Sequence, residues 1–421
     1  MNQQRGSFRD RNLWDATGSR GFRVAVGFLV LLGLLVLICR TAISDETKSQ
    51  QGFRPKALNA IDQAITKAIE AGRCPGAVFW LEHGGMSYHR AYGRRAILPE
   101  AELMTEDTIF DAASLTKVLA TTPAVMKLIE QGKVELDAPV SRYLPEFAAH
   151  GKQPVTVRHL LTHTSGLPPG LPPNPPWRGG EKALALADES HLSAAPGSAF
   201  RYSDINFLLL GEIVRKVSGR TLNEFCAEEI YRPLSMNDTG FLPAESLRSR
   251  IAPTEHAEDG TFLRGIVHDP TARRMGGVAG HAGLFTTARD VAKFARMMLD
   301  RGTVDGGQIF DPSTVNLMTT VQTPPGVKDR RGLGWDIDSP YAGPRGERFP
   351  LGSYGHTGWT GGALWIDPFS DTFMIFLTNR NHPDGTGNVV GLWKQLGTFS
   401  AEAVLDFDFE HASGVPPALQ R

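Results

Sequence analysis

The chain has 421 residues, with 44 lysines and arginines against 45 aspartates and glutamates. This length suffices for one large domain or two closely packed ones, and a net charge of −1 gives no strong field to attract nucleic acid. Three cysteines without metal-like spacing and no His-Glu-x-x-His motif among 12 histidines lead us to expect neither a metal nor a cofactor.

A basic leader precedes an uncharged stretch near the N-terminus. Residues 24–39 carry no charge, and the length of this stretch lies between a secretion-signal core, about 7–15 residues, and a spanning helix of about 20. The upstream charges are Arg5, Arg9, Arg11, Arg20 and Arg23 against Asp10 and Asp15. We predict a cytoplasmic leader over 1–23, a membrane anchor or signal core over 24–39, and a tether over 40–52.

This arrangement would place the remainder of the chain outside the cytoplasm, on the periplasmic side. Small residues at Ala42 and Ser44 leave cleavage after Ser44, and secretion, as the alternative. The long leader favours an uncleaved anchor.

A globular pattern begins at Phe53 and is predicted to continue to residue 410, before a tail over 411–421. Apolar spacing and glycine punctuation predict its first elements. These are a helix ending at Gly72, strands over Gly76–His83 and 87–92, and a helix over 114–131 bent at Pro123. Six prolines between residues 166 and 180 predict an ordered loop without regular structure. Cys74 and Cys226 are expected to be buried thiols or, at most, one disulfide.

The second half alternates apolar helices with strands. The predicted elements are helices over Asp204–Ser218, 287–301 and about 387–405, and strands over Ala363–Asp367 and Thr372–Thr378. Strands near both ends with helices between them predict one sheet built from the two termini plus a helical lobe, an α/β chain of the α+β type.

Ser114 and Lys117 are the first candidate catalytic pair. At helical spacing their side chains lie one above the other, so the lysine amine can reach the serine hydroxyl. Among apolar neighbours the lysine could lose its proton and activate the serine. Two solvated surface residues would show the same spacing, and a Ser-x-x-Lys match arises by chance about once or twice in such a chain.

Two later segments supply the other groups of a serine hydrolase. Tyr202-Ser203-Asp204 places a phenol at the start of a buried helix, and His356-Thr357-Gly358 stands before a strand. Read singly, each has a structural alternative: Tyr202 as a core residue, Asp204 as a helix N-cap and His356 as a turn residue. Their order after Ser114 favours a catalytic constellation.

These segments resemble the serine hydrolases related to class C β-lactamases, D-alanyl-D-alanine carboxypeptidases and family VIII carboxylesterases. Further matching segments are HLLTHTSGL at 159–167, GGVAGHAGLF at 276–285, DVAKF at 290–294 and FLTNR at 376–380. The resemblance covers residues 53–405 and implies a β-lactamase/transpeptidase-like fold.

The resemblance also implies a role for each residue. Ser114 would be the acylated nucleophile, Lys117 its base and Tyr202 the proton relay. The oxyanion hole would consist of the N–H groups of Ser114 and Trp359. Asp204, His356, Thr357 and Gly358 would line the substrate side. His163, Thr164 and His281 are expected to support turns beside the site.

Two positions depart from the family pattern. Asp204 stands where an asparagine amide often donates, and His356 where a lysine often carries a fixed charge. We therefore expect an exported, membrane-anchored esterase-like hydrolase, acting on a small ester or amide, with little β-lactamase activity. The alternatives are a D-alanyl-D-alanine carboxypeptidase acting on a cell-wall peptide and a penicillin-binding sensor that is acylated without turnover.

Overall fold

The computed structural model describes residues 52–257 and 259–411. The predicted leader (1–23) and anchor (24–39), and nearly all of the tether and the tail, lie outside these ranges. Within them, no helix is both long and apolar enough to cross a membrane.

An eight-stranded antiparallel sheet organises the fold. Its strands are β1 Gly76–His83, β2 Met86–Ala96, β3 Glu102–Leu103, β9 Arg330–Arg331, β10 Asp336–Asp338, β11 Tyr354–Thr357, β12 Ala363–Asp367 and β13 Thr372–Thr378. Their order across the sheet is β3-β2-β1-β13-β12-β11-β10-β9. The central pair β1 and β13 runs in register from Ala77 opposite Thr378 to His83 opposite Thr372. The prediction of one sheet built from both ends of the chain is confirmed.

Helices cover both faces of this sheet. They are α1 Pro55–Glu70, α2 Thr122–Glu130, α3 Val157–Leu161, α4 Gly180–Glu189, α5 Asp204–Ser218, α6 Leu222–Cys226, α7 Pro270–Arg274, α8 Ala288–Leu299, α9 Pro312–Thr319 and α10 Val390–Ala403. The period-2 alternation of strand side chains separates two cores. Phe79 and Phe376 pack with α1 and α10, whereas Val78 and Leu377 belong to the core of the helical lobe.

Two smaller sheets complete the structure. β4 (Phe110–Asp111), β6 (Leu284–Thr286) and β5 (Gly240–Phe241) form one, and β7 (Thr303–Val304) with β8 (Gly307–Gln308) forms the other. β4 leads directly into the segment that carries Ser114. The small sheet therefore fixes that segment beside the 276–285 loop and strand β6.

The predicted helix over 114–131 is only partly correct. Residues Ala113–Leu115 form a 3₁₀ turn, Lys117–Thr121 form a π turn, and the α-helix α2 starts at Thr122. Pro123 lies in the first turn of α2, where its missing N–H leaves no intrahelical bond unmade. The irregularity thus precedes the proline, and wide π turns of this kind are frequent at functional sites.

Other predictions agree with the structure. Helix α5 has the predicted bounds and ends at Gly219, whose φ of 72° provides the left-handed C-terminal cap. The proline-rich stretch up to residue 179 has no helix or strand. Cys74 and Cys226 are free, buried thiols, and burial raises both pKa values.

Candidate active site

Ser114 follows a strained turn at the end of β4. Ala113 has a φ of 46°, a left-handed conformation that costs an alanine about 1–2 kcal/mol. The buried Asp111 carboxylate holds this turn by accepting the Ala113 N–H at 2.8 Å and the His268 N–H at 2.6 Å. Burial raises the pKa of Asp111, against the effect of these two N–H groups. The turn presents Ser114, half-buried, at the start of the 3₁₀ segment.

Lys117 is fully buried and surrounded by three acceptors. Its Nζ lies 3.1 Å from Ser114 Oγ, 3.0 Å from the His281 carbonyl oxygen and 2.8 Å from Asp204 Oδ1. The contacts with Ser114 and His281 are hydrogen bonds, whereas the contact with Asp204 is an ion pair without hydrogen-bond alignment. The predicted contact between the serine and the lysine is therefore present, although a 3₁₀ turn and a π turn supply it instead of a regular helix.

The expectation that Lys117 loses its proton among apolar neighbours is wrong for the resting site. Burial lowers the pKa of Lys117, but the Asp204 carboxylate raises it, and the net shift is upward. A charged ammonium thus donates to Ser114 Oγ in the free enzyme. The sequence could not show this because the contact joins residues on separate helical segments.

Tyr202 lies beside Lys117 and rests on His163. The Tyr202 ring centroid is 5.0 Å from Lys117 Nζ, and the His163 ring stacks on it at 4.4 Å. His163 is buried, and its Nδ1 accepts from the Ser203 N–H at 3.1 Å. Burial lowers the pKa of His163 well below its usual value, so the ring is neutral. A neutral aromatic support of this kind fixes the tyrosine without adding charge.

His281 contacts Lys117 through its carbonyl group, while its ring faces elsewhere. Its Nε2 lies 3.0 Å from Asp269 Oδ1, and the same Asp269 oxygen caps helix α7 by accepting the Ala272 N–H at 2.7 Å. Burial raises the pKa of Asp269, but the contact with His281 outweighs this and lowers it. The pair anchors the 276–285 loop, which positions the carbonyl that Lys117 binds.

The end of β11 packs closely against the Ser114 turn. The Thr360 hydroxyl donates to the Asp111 carbonyl at 2.7 Å, and a Cβ at Gly358 would lie 2.6 Å from the Ala112 carbonyl oxygen. Neither the Ser114 N–H nor the Trp359 N–H donates to another group in the described ranges. Two unengaged N–H groups beside a nucleophile are the arrangement that an oxyanion hole requires.

His356 lines the site as a neutral residue. Its Nδ1 lies 2.8 Å from the Thr357 carbonyl oxygen, so Nδ1 carries the proton. Burial lowers the pKa of His356 well below its usual value, and the Arg331 guanidinium acts in the same direction. The neutral state expected from the sequence agrees with this environment.

A cleft of about 740 Å³ joins these groups. Ser114, Tyr202, His356, Thr357, Gly358 and Trp359 all line it. The sequence-predicted site residues therefore lie together, although Lys117 and Asp204, which pair with each other, are not among the residues that line the cleft. The Asp204 side chain pairs with Lys117 and remains 36% exposed, and its predicted place on the substrate side stays a prediction.

A family model described as Beta-lactamase matches residues 61–394. The chain belongs to the β-lactamase family. Among curated relatives, this β-lactamase-family chain is 31% identical over 398 residues to a candidate D-alanyl-D-alanine carboxypeptidase of Escherichia coli (strain K12), covering 84% of this chain and 91% of that protein. It is 33% identical over 370 residues to an N-acetylmuramyl-L-alanine amidase of Bacillus subtilis (strain 168), and the match covers 78% of this chain and 82% of that protein.

A solved structure supports the same fold. EstCE1, a hydrolase with promiscuous acyltransferase activity, superposes with a TM-score of 0.67 at 24% identity, covering 85% of this chain and all of that one. The predicted β-lactamase/transpeptidase-like fold is confirmed. The chain is a serine hydrolase of the β-lactamase family.

Two residues of this β-lactamase-family site were missed in the sequence. Asp111 holds the nucleophile turn, and Arg380 lines the cleft beside Trp359. An aspartate three residues before a candidate nucleophile, and an arginine directly after a buried strand, were the available signals. Over residues 52–257 and 259–411, no group of three or more histidine, cysteine, aspartate or glutamate side chains could hold a metal ion.

Proposed function

We propose that this chain hydrolyses a small acyl substrate through a covalent acyl-enzyme at Ser114. The observation that carries the proposal is the contact of Lys117 Nζ with Ser114 Oγ at 3.1 Å, inside a cleft that also presents two unengaged N–H groups. A buried lysine in contact with a serine is a known means of activating the nucleophile.

The steps follow from the positions of the groups. Lys117 first gives one proton to solvent, and its neutral amine then takes the proton of Ser114 as Oγ attacks the substrate carbonyl carbon. The carbonyl oxygen becomes an oxyanion that accepts from the N–H groups of Ser114 and Trp359. The leaving group departs with a proton delivered by way of Tyr202. A water molecule then attacks the acyl carbon, the bond from that carbon to Ser114 Oγ breaks, the acyl group leaves as a carboxylic acid, and one proton of the water returns to Oγ.

Esters are the first candidate substrates. His356 is neutral, so the position that often holds a fixed charge offers none to a substrate carboxylate. Asp204 is engaged by Lys117 and cannot donate to a substrate amide. An ester with a good leaving group also needs the least proton transfer from Tyr202 as the leaving group departs.

Cell-wall peptides are the second candidate. The relatives at 31% and 33% identity are named for activity on D-alanyl-D-alanine and on N-acetylmuramyl-L-alanine linkages. Such substrates lie outside the cytoplasm, which agrees with the proposed anchor over 24–39 and a periplasmic catalytic domain.

The test uses the full-length protein in detergent. A fluorophosphonate should label Ser114, as mapped by peptide mass spectrometry. Turnover of p-nitrophenyl esters is then compared with release of D-alanine from an acylated D-Ala-D-Ala peptide. Labelling of a different serine in active protein would overturn the proposal, and the ratio of the two turnover rates decides between the substrate classes.

A further inference from the structure

Arg331 is a fully buried cation close to the aromatic residues around Tyr202. Its guanidinium carbon lies 5.3 Å from the centroid of the Phe200 ring, and that ring lies 6.2 Å from the ring of His163. The distance from the guanidinium carbon to the centre of the His163 ring therefore cannot exceed the sum of these two lengths. Arginine stays charged in proteins, so a permanent positive charge is present near His163.

Asp336 compensates this charge only in part. It is the cross-strand neighbour of Arg331 on β10, and its Oδ2 lies 3.5 Å from Arg331 Nη1, too far for a good hydrogen bond. Arg331 Nη2 donates to the Gly334 carbonyl oxygen at 3.1 Å, whereas Nε and Nη1 donate to no group in the described part of the chain. Part of the positive charge is thus left to act on other neighbours.

His163 can hold Tyr202 in place only while its Nδ1 carries no proton. Nδ1 accepts the Ser203 N–H at 3.1 Å, and the Asn206 amide nitrogen lies 3.1 Å from the same atom. A proton on Nδ1 would point at the Ser203 N–H and break this bond. Tyr202 directly precedes Ser203 and stacks on the His163 ring. Loss of the bond would therefore disturb the proton relay.

The charged and titratable groups that face His163 are Arg331, Lys117 and His356. Burial has the largest effect in lowering the pKa of His163, and Arg331 has the next largest, ahead of Lys117 and His356. Lys117 is paired with Asp204 at 2.8 Å, which offsets part of its charge. Two cations in a buried site repel strongly, because little water screens them. Arg331 therefore opposes a proton on His163 more than the other charges do.

We propose that Arg331 is a positioning residue whose fixed charge keeps His163 unprotonated at acidic pH, and that Asp336 weakens this effect. The inference deepens the proposed function and rests on it, since it names a control on the proton relay of the Ser114 site. As the pH falls, His163 stays neutral and Tyr202 stays in place.

The direct measurement is the NMR titration of His163 in full-length protein in detergent, with ¹³C-labelled histidines. The resonance is identified by its loss in His163→Gln. Arg331→Met removes the cation, Arg331→Lys keeps it, and Asp336→Asn removes the compensating carboxylate. Arg330→Met is the matched control, because Arg330 is the adjacent and less buried arginine of β9.

His163 of wild type should keep the chemical shifts of the neutral ring down to pH 5. In Arg331→Met it should titrate at higher pH, toward the ordinary histidine value of about 6.5. Arg331→Lys, Asp336→Asn and Arg330→Met should behave as wild type. An unmoved titration in folded Arg331→Met would overturn the proposal. An equal rise in Asp336→Asn would overturn it too, because damage to the strand pair would then be the cause.

A double variant separates the cation from the carboxylate that it leaves behind. Arg331→Met buries the Asp336 carboxylate without its partner, whereas Arg331→Met with Asp336→Leu removes both charges. The double variant also serves if the single variant fails to fold. His163 should titrate at higher pH than in wild type in this protein as well. A rise confined to the single variant would assign the effect to unpaired Asp336 and overturn the proposal.

Ester turnover connects this titration to the reaction. Below pH 7 the wild-type kcat/KM for ethyl butyrate should fall about tenfold per pH unit, since one proton on Lys117 blocks the base. In Arg331→Met the fall should approach a hundredfold per unit, because a second proton, on His163, displaces Tyr202. The steepening should be smaller for p-nitrophenyl butyrate, whose leaving group needs less proton transfer. An equal loss at every pH would make Arg331 a structural residue only and overturn the proposal.

The proposed function and the role of Arg331 can fail separately. The NMR titration requires no reaction at Ser114, so it tests Arg331 even if no ester is turned over. Turnover by Arg331→Met with an unmoved His163 titration would support the proposed function and refute the role of Arg331.

Discussion

The Lys117 ammonium lies 2.8 Å from the Asp204 carboxylate, in a site where burial alone would favour the neutral amine. Because the pairing raises the pKa of Lys117, only a small fraction of the enzyme holds the neutral base near pH 7. Asp204→Asn removes the charge and keeps the size. We expect acylation at pH 7 to become faster, about tenfold for each unit by which the pKa falls.

The measurement is the rate of fluorophosphonate labelling between pH 5 and pH 10. In Asp204→Asn the acid limb of the profile should move to lower pH. If Asp204→Asn is instead labelled more slowly and its acid limb stays at the wild-type pH, Asp204 is required as a proton acceptor. Circular dichroism of both proteins checks that the fold is retained.

Removal of Lys117 tests the base directly. Lys117→Ala should slow labelling of Ser114 by about 10³-fold or more, because activators of nucleophiles commonly contribute that much. It also leaves Asp204 without its partner, so a melting curve accompanies the kinetics. Ser198→Ala, an exposed serine, is the control and should label at the wild-type rate. Undiminished labelling of Lys117→Ala in folded protein would exclude the lysine as base.

Gly358→Ala tests the packing of β11 on the nucleophile turn. The added Cβ would lie 2.6 Å from the Ala112 carbonyl oxygen, so the strand end and the Trp359 N–H must move away from Ser114. A shift of about 1 Å can cost about a hundredfold in rate, and we expect kcat/KM to fall by that order.

Gly391→Ala is the matched control for that change. Its Cβ would meet nothing within 4 Å, and the site lies inside helix α10. Alanine is favoured over glycine by about 0.5–1 kcal/mol in the middle of a helix and by less in the first turn, where Gly391 lies, so an unchanged or slightly higher Tm with unchanged activity is expected. Wild-type activity in Gly358→Ala would show that the strand end tolerates displacement.

Asp367 predicts a pH dependence of stability. Burial raises its pKa to about 7, against hydrogen bonds from Ser370 and the Phe369 N–H, whereas an unfolded chain titrates near 3.9. Between about pH 4 and 7 the folded state therefore holds a proton that the unfolded state has lost. Through this group the free energy of unfolding decreases as pH rises across that window.

Urea unfolding at pH 4.5, 6 and 7.5 measures this contribution. The buried His163 and His356, with lowered pKa values, act with the opposite sign below about pH 6.5, so the difference between wild type and Asp367→Asn is the readout. The free energy of unfolding of wild type minus that of Asp367→Asn should decrease as the pH rises from 4.5 to 7.5. Asp305→Asn, an exposed control, should have the same pH dependence as wild type. A constant difference would contradict the prediction.

The sequence predicts elements whose pattern is local and misses contacts that tertiary packing creates. Helix α5 has a buried apolar face and a glycine cap, so its bounds could be read directly. The π turn at Lys117–Thr121 has no such pattern, and it begins at the lysine that contacts His281 and Asp204. Gly358 lines the cleft, but the sequence does not show that its missing Cβ also makes room for the Ala112 carbonyl oxygen.

The charge of Lys117 could not be predicted from the sequence either. Whether Lys117 is charged depends on whether a carboxylate comes within 3 Å of it, and no spacing along the chain reports that distance. Motif resemblance predicted a nucleophile, a base and a relay at Ser114, Lys117 and Tyr202, and the structure brings these three residues together. It did not indicate Arg380, which lines the cleft beside Trp359.

The central position of the β1–β13 pair has a consequence for how the chain acquires its structure. The Thr378 hydroxyl donates to the Gly76 carbonyl oxygen across 302 residues of sequence. Contacts of such range form slowly, since a very long loop must close before they are made. During synthesis, β1 and β2 emerge early but lack their neighbour until the ribosome has completed almost the whole domain. The unfinished chain therefore exposes an apolar sheet edge for most of its translation, and an edge of this kind is prone to pair with other chains.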